Sequence, residues 1–143
     1  MLQYIKTHPY KICMGLIITA VIFIMIGHIY RDRIQLVLKQ ELFKFPECSI
    51  DYWSISHFLL FGIMGFVLPD KHLSFFSLGL TFELMEDYLS SNETTQLASC
   101  QRTKKGFWCN GYQDGYWYMN LTDPWVNITG YILGSAIRTT LVD

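Results

Sequence analysis

Apolar residues in this chain gather into long runs separated by short polar breaks, and each run is close to the length of a buried helix. The first extends from Ile12 to Ile29, with no formal charge apart from His28. At 1.5 Å per residue such a run is about 27 Å long, near the hydrocarbon thickness of a bilayer. Three further runs follow: Trp53 to Leu68, stopped by Pro69-Asp70-Lys71; His72 to Leu89, acidic at its end; and Trp125 to Val142. Asp123-Pro124 is a start signal for the last, with Asp as N-cap and Pro in the first turn. Between the first two runs, Ile34, Val37, Leu38, Leu42 and Phe45 repeat at helical spacing. That predicts an amphipathic helix over 31–45, ended by Pro46.

The pattern predicts an all-α, multi-pass transmembrane helical bundle of about four spans, with an interfacial amphipathic helix after the first. It forms one membrane domain over 1–143: spans at 12–29, 53–68, 72–89 and 125–142, and a loop at 90–122. Composition agrees. The chain is 143 residues long and 51% hydrophobic, and only 16% is charged, below the quarter usual for soluble domains. A signal peptide is the rival reading of the first run, but no small-residue cleavage site follows it before Tyr30 and Arg31. A net charge of −1, with no local basic run, excludes nucleic acid as a partner and leaves the lipid bilayer.

The 90–122 stretch holds Cys100 and Cys109 and the sequons at Asn92 and Asn120. A disulfide between the two cysteines, with Cys48 as a competing partner, and glycosylation of the two asparagines would place this loop on an exoplasmic or lumenal face. The N- and C-termini would then be cytoplasmic. The distribution of Lys and Arg opposes that orientation, since Arg31, Arg33, Lys39, Lys44, Arg102, Lys104 and Lys105 would lie outside.

Candidate chemistry lies at one end of the last three runs. His57 is about one turn into the second. Glu83, Glu86 and Asp87 close the third, spaced i, i+3, i+4, and Asp123 and Asn127 open the fourth, spaced i, i+4. With alternating helix directions, all six reach the same level, and the two polar stripes should turn inward and meet. Gly130 and Gly134 permit close helix approach near Asn127.

The segments His57-Phe58, Glu83-Leu84-Met85-Glu86 and Asp123 through Gly130 resemble, in order and spacing, the signature blocks of VanZ-like membrane proteins. Glu86 stands where that family usually has Gln. The resemblance covers about residues 51 to 137, with a long insertion before the last block. It implies a membrane fold and a polar site rather than a particular reaction.

Two readings of the cluster follow. In the first, the protein is a VanZ-like membrane scaffold or accessory factor whose polar network fixes helix register. In the alternative, it is a membrane-embedded hydrolase acting on a lipid headgroup or phosphoester, with or without a divalent metal such as zinc or manganese. His57, Glu83 and Asp123 would be the ligands, Glu86 or Asp87 the general base, and Asn127 an orienting donor. No nucleophile elbow, phosphate loop or HExxH zinc signature is present.

Overall fold

The computed structural model describes residues 2–44, 49–103, 117 and 122–141. In chain order the elements are α1 (Leu2–Thr7), α2 (Pro9–Ile29), α3 (Arg31–Leu38), β1 (Glu41–Lys44), β2 (Ser49–Asp51), α4 (Tyr52–Val67), α5 (His72–Thr103) and α6 (Asp123–Leu141).

Pro9 lies in the first turn of α2, where its missing N–H has no intrahelical partner to lose. After α3 the chain departs from the 31–45 helix predicted by periodicity. Residues Glu41–Lys44 form a strand that pairs antiparallel with Ser49–Asp51, setting Phe43 opposite Ile50. A helical repeat of five apolar residues could not reveal that a pairing partner follows a few residues later. Of the face expected to be apolar, Val37 and Leu42 are exposed and Ile34 and Leu38 are half-buried.

Asp51 ends the hairpin and caps α4, its carboxylate accepting the Ser54 backbone N–H at 2.9 Å. The α4–α5 turn contains Asp70 in the left-handed region (φ 66°), which short polar side chains tolerate better than most. α5 then runs past Leu89 to Thr103. No Gly or Pro occurs between Gly79 and Gly106, so nothing in the sequence stops it at the acidic stretch. Much of the expected 90–122 loop is therefore helix.

α4 and α6 lie side by side and point the same way, joined along a seam of small residues. A Cβ on Gly134 would collide with the Gly62 carbonyl, and one on Gly130 with the Phe58 carbonyl. Backbones this close leave no room for larger residues. α5 runs antiparallel to both, with Gly79 beside Asn127 and Phe61, and Phe75 stacked on Tyr131 at 4.9 Å. The core consists of Cys13 from α2 with Phe61, Met64, Val67, Phe75 and Tyr131. Tyr131 is fully buried, yet its hydroxyl donates to the Leu68 carbonyl (2.6 Å) and accepts the Lys71 backbone N–H (2.9 Å). Arg138 is also buried, with its guanidinium 5.6 Å from the Phe66 ring centre, rather than extending past the end of α6.

This architecture overturns the four-span bundle and the two-sided topology drawn from it. Among the described residues only Pro9–Ile29 is long and apolar enough to cross a membrane. α4 has 16 residues, and at 1.5 Å rise its length of about 24 Å falls short of a bilayer's hydrocarbon layer. α5 averages out as barely apolar over its 32 residues, and α6 buries Asp123, Asn127 and Arg138. Apolar runs of this length also arise when helices bury one another in a common core, and length alone does not separate the cases.

The disulfide and glycoprotein readings are corrected as well. Asn92 and Cys100 fall within the long α5 rather than in a loop, and Cys13 is a free, buried thiol. Among the described residues there is no disulfide. Cys48, Cys109 and Asn120 lie outside the described residues.

Candidate metal centre

The starts of two helices and the interior of a third build the site. His57 is in the second turn of α4, Asp123 opens α6, and Glu83 reaches the same level from the antiparallel α5. One ligand atom from each of the three lies within 4.8 Å of the others, and His57 Nδ1 is 3.7 Å from Glu83 Oε1. One turn deeper, Phe61, Gly79 and Asn127 form the floor, each four residues from a member of the triad. The His57 ring stands edge-on to Phe82.

Burial here is severe. Glu83 is 0% exposed, and Asp123 and Asn127 are each 3% exposed. Neither Glu83 oxygen has a hydrogen-bond partner, nor does either end of the Asn127 amide or Nδ1 of His57. Buried polar groups are almost always hydrogen-bonded, because each orphan costs about 1–3 kcal/mol. Three such atoms at the triad, with two more on Asn127 one turn below, mark a place that something else completes.

Asp123 alone among the three ligands is held by the protein. The Ser54 hydroxyl, itself fully buried, donates to Asp123 Oδ1 at 2.6 Å and lies 3.2 Å from Asp51 Oδ1. Its single proton serves the shorter contact, while Asp51 is anchored by the Ser54 N–H. Ser54 thus fixes one oxygen of Asp123 and leaves the other to face the triad. Asp51 and Ser54 are the residues that reading the sequence missed. The usable signal was an Asp three residues before a Ser at the start of an apolar helix, an N-cap arrangement that is ordinarily only structural.

Desolvation dominates the protonation states. It lowers His57 to about 4, against a smaller opposing pull from Asp51. It raises Glu83 to about 8, helped by the nearby charge of Asp123. Asp123 rises only to about 6, because the Ser54 hydrogen bond favours its charged form. Near pH 7 the His57–Glu83 contact therefore joins a neutral imidazole to a protonated carboxyl, not an ion pair. Glu86 is half-buried one turn above Glu83, and burial plus the charges of Glu83, Asp123 and Asp51 raise it to about 8. Asp87 is exposed, on the outward side of α5.

The donor set fits a divalent cation. One imidazole and two carboxylates suit zinc or manganese, and a dication would supply the charge that these carboxylates lack. His57, Glu83 and Asp123 can hold such a metal. Of the six residues predicted for the site, the structure brings together His57, Glu83 and Asp123, sets Glu86 and Asn127 next to them, and leaves Asp87 outside.

No protein-family profile, curated protein or solved structure matches this chain. The VanZ-like resemblance is therefore corrected. The short blocks that carried it occur here in a compact helical fold in which, among the described residues, one helix is both long and apolar enough to cross a membrane, and no relative supports the name. The membrane scaffold reading attached to that name falls with it.

Proposed function

We propose that this protein is a divalent-metal-dependent hydrolase acting on a phosphoester, such as that of a lipid headgroup. The observation that carries the reading is the buried His57–Glu83–Asp123 triad, with ligand atoms within 4.8 Å of one another and both Glu83 oxygens unpartnered. A carboxyl buried without a partner destabilises the fold, and coordination to a cation removes that cost. When bound, the metal supplies Lewis acidity toward a substrate oxygen and toward water.

The protein's own residues supply the rest. His57, Glu83 and Asp123 each offer one ligand atom. Glu86, which holds its proton up to about pH 8, is placed to give that proton to the leaving group as a general acid and, once ionised, to take one from water. Asp87 is excluded from this role by its exposure. The Asn127 amide, buried and unpartnered below the triad, is an N–H donor for a substrate oxygen. Ser54, itself anchored on Asp51, is a positioning residue that holds Asp123 and favours its charged form.

The test is direct. The purified chain is stripped of metal, titrated with Zn²⁺ or Mn²⁺ by calorimetry, and assayed on phosphomonoester and phosphodiester substrates, both lipid and water-soluble. One ion bound per chain, with hydrolysis appearing only in its presence, is the expected result. No saturable binding of either ion would overturn the metal centre. Binding without hydrolysis of any of these substrates would overturn the hydrolase.

A further inference from the structure

α2 has no polar face. Apolar side chains are spread evenly around it, and only Cys13 and Gly27 are buried. Helices at a protein–water boundary normally divide into an apolar inner stripe and a polar outer one. Here the outer side presents Met14, Ile18, Val21, Ile22, Met25 and Ile26, each between 45% and 61% exposed. The hydroxyl of Thr19, also on that side, turns back to the Gly15 carbonyl at 2.9 Å, so it needs no water. An apolar surface this large and continuous is covered by something.

The ends of the helix show what covers it. Tyr4, Lys6, Tyr10 and Lys11 are exposed at the N-terminal end, and Tyr30 and Arg33 just beyond the C-terminal end. No Asp or Glu occurs before Asp32. The eighteen residues Ile12–Ile29 at 1.5 Å rise make about 27 Å of apolar cylinder, close to the hydrocarbon thickness of a bilayer. Tyrosines and cations bracketing such a length are the arrangement that lipid headgroups select, and the charge is complementary to anionic lipid. A second copy of the chain would cover the apolar strip but would set Lys6, Lys11 and Arg33 against a stretch whose first acidic residue is Asp32.

We infer that the outer face of α2 lies in the acyl layer of a lipid bilayer, with the aromatic and cationic residues at its ends in the headgroup layer. The inference is independent of the metal centre. The other side of α2 still packs on the body of the protein, through Cys13 in the core and Phe23 edge-on to Trp53. Trp53 is one turn from His57, so the lipid-covered helix abuts the helix that carries the site.

Flotation of the full chain with vesicles of phosphatidylcholine and phosphatidylglycerol tests the inference. The protein should rise with the vesicles and stay bound through high salt and alkaline carbonate, because acyl burial rather than charge holds it. Ile18→Lys combined with Ile22→Lys should lower the floated fraction about tenfold or more. Both positions face outward, so circular dichroism should be unchanged. If the double variant loses helicity, the wild-type salt and carbonate steps decide alone. Three results would overturn the inference: a wild-type chain that stays at the bottom of the gradient, as monomer or dimer; one stripped by salt; or a mature chain in cells that begins after Ile29.

Discussion

Two fully buried polar residues at opposite ends of the α4–α5–α6 packing, Tyr131 and Glu83, are treated in opposite ways. At one end Tyr131 is fully buried, and its hydroxyl both donates and accepts, tying α6 to the α4–α5 turn through Leu68 and Lys71. At the other end Glu83 is equally buried and has no hydrogen bond at either oxygen, and Asn127 has none at either end of its amide. The same three helices, joined by the same glycine seam, produce both. Proteins can satisfy a buried polar group when stability is the only demand on it, as the Tyr131 end demonstrates. Leaving three atoms open at the triad, and two on Asn127 one turn below it, is the mark of a site that a ligand completes.

The sharpest way to break this contrast is to neutralise Glu83. Glu83→Gln should lower affinity for Zn²⁺ or Mn²⁺ by more than about 100-fold, since changes one shell further out already cost about 10–100-fold. The fold should persist, because near pH 7 Glu83 is protonated and glutamine replaces a neutral group with a neutral group. Calorimetric titration with circular dichroism on the same sample checks both. Unchanged metal affinity would mean that the open oxygens of Glu83 are not ligands.

Next in size is the residue that holds Asp123. Ser54→Ala removes the 2.6 Å hydrogen bond that favours the charged carboxylate. Metal affinity should fall about 10–100-fold. The loss should be greater at pH 6 than at pH 8, because the pKa of Asp123, already about 6, rises further without the hydroxyl. A purely structural role for Ser54 would lower affinity equally at all pH values. Calorimetric binding measured across that range distinguishes the two.

At Tyr131 the expectation reverses. Tyr131→Phe should cost about 1–3 kcal/mol of stability, because it leaves the buried Leu68 carbonyl and Lys71 N–H without their partner. Metal binding should be untouched. Urea unfolding paired with a metal titration checks this, and a loss of metal affinity would show that the two ends are not independent.

The smallest effect is the pH dependence of the metal-free protein. Glu83 and Glu86 are raised from 4.5 to about 8, so the folded state holds more protons than the unfolded one between those values. Their contribution is fully present below about pH 4.5 and is lost as pH rises through 8. His57, lowered from 6.5 to about 4, acts oppositely, adding stability as pH rises from 4 to 6.5. Above pH 6.5 only the carboxyls remain, so the melting temperature of the metal-free chain should fall from pH 6.5 to 8. Saturating metal should abolish the fall, because ligation requires the deprotonated carboxylates. A melting temperature that rises over this interval without metal would contradict the buried, protonated state of Glu83.

Some of this was legible from the residues. Apolar runs located α2, α4 and α6 to within a few positions, and Asp123-Pro124 marked the first turn of α6. The i, i+3, i+4 and i, i+4 spacings of the acids, combined with helix direction, put His57, Glu83 and Asp123 at one level before any coordinates. Both properties are local: a helix's existence and its period depend on neighbours along the chain.

Tertiary structure decided what local pattern does not encode. Whether an apolar run faces lipid or another helix depends on what packs beside it, and α4 and α6 bury their glycine faces on each other. The periodic stretch after Arg31 yields to a hairpin because β2 lies within reach. Glu86 and Asp87 are adjacent in sequence, yet one faces the site and the other solvent, since a helix turns about 100° per residue. Ser54 became part of the site only when α6 brought Asp123 within 2.6 Å of it, across 69 positions of chain. Sequence fixes which groups exist and at what spacing, but the desolvation and proximity that set their chemistry arise only when distant segments pack.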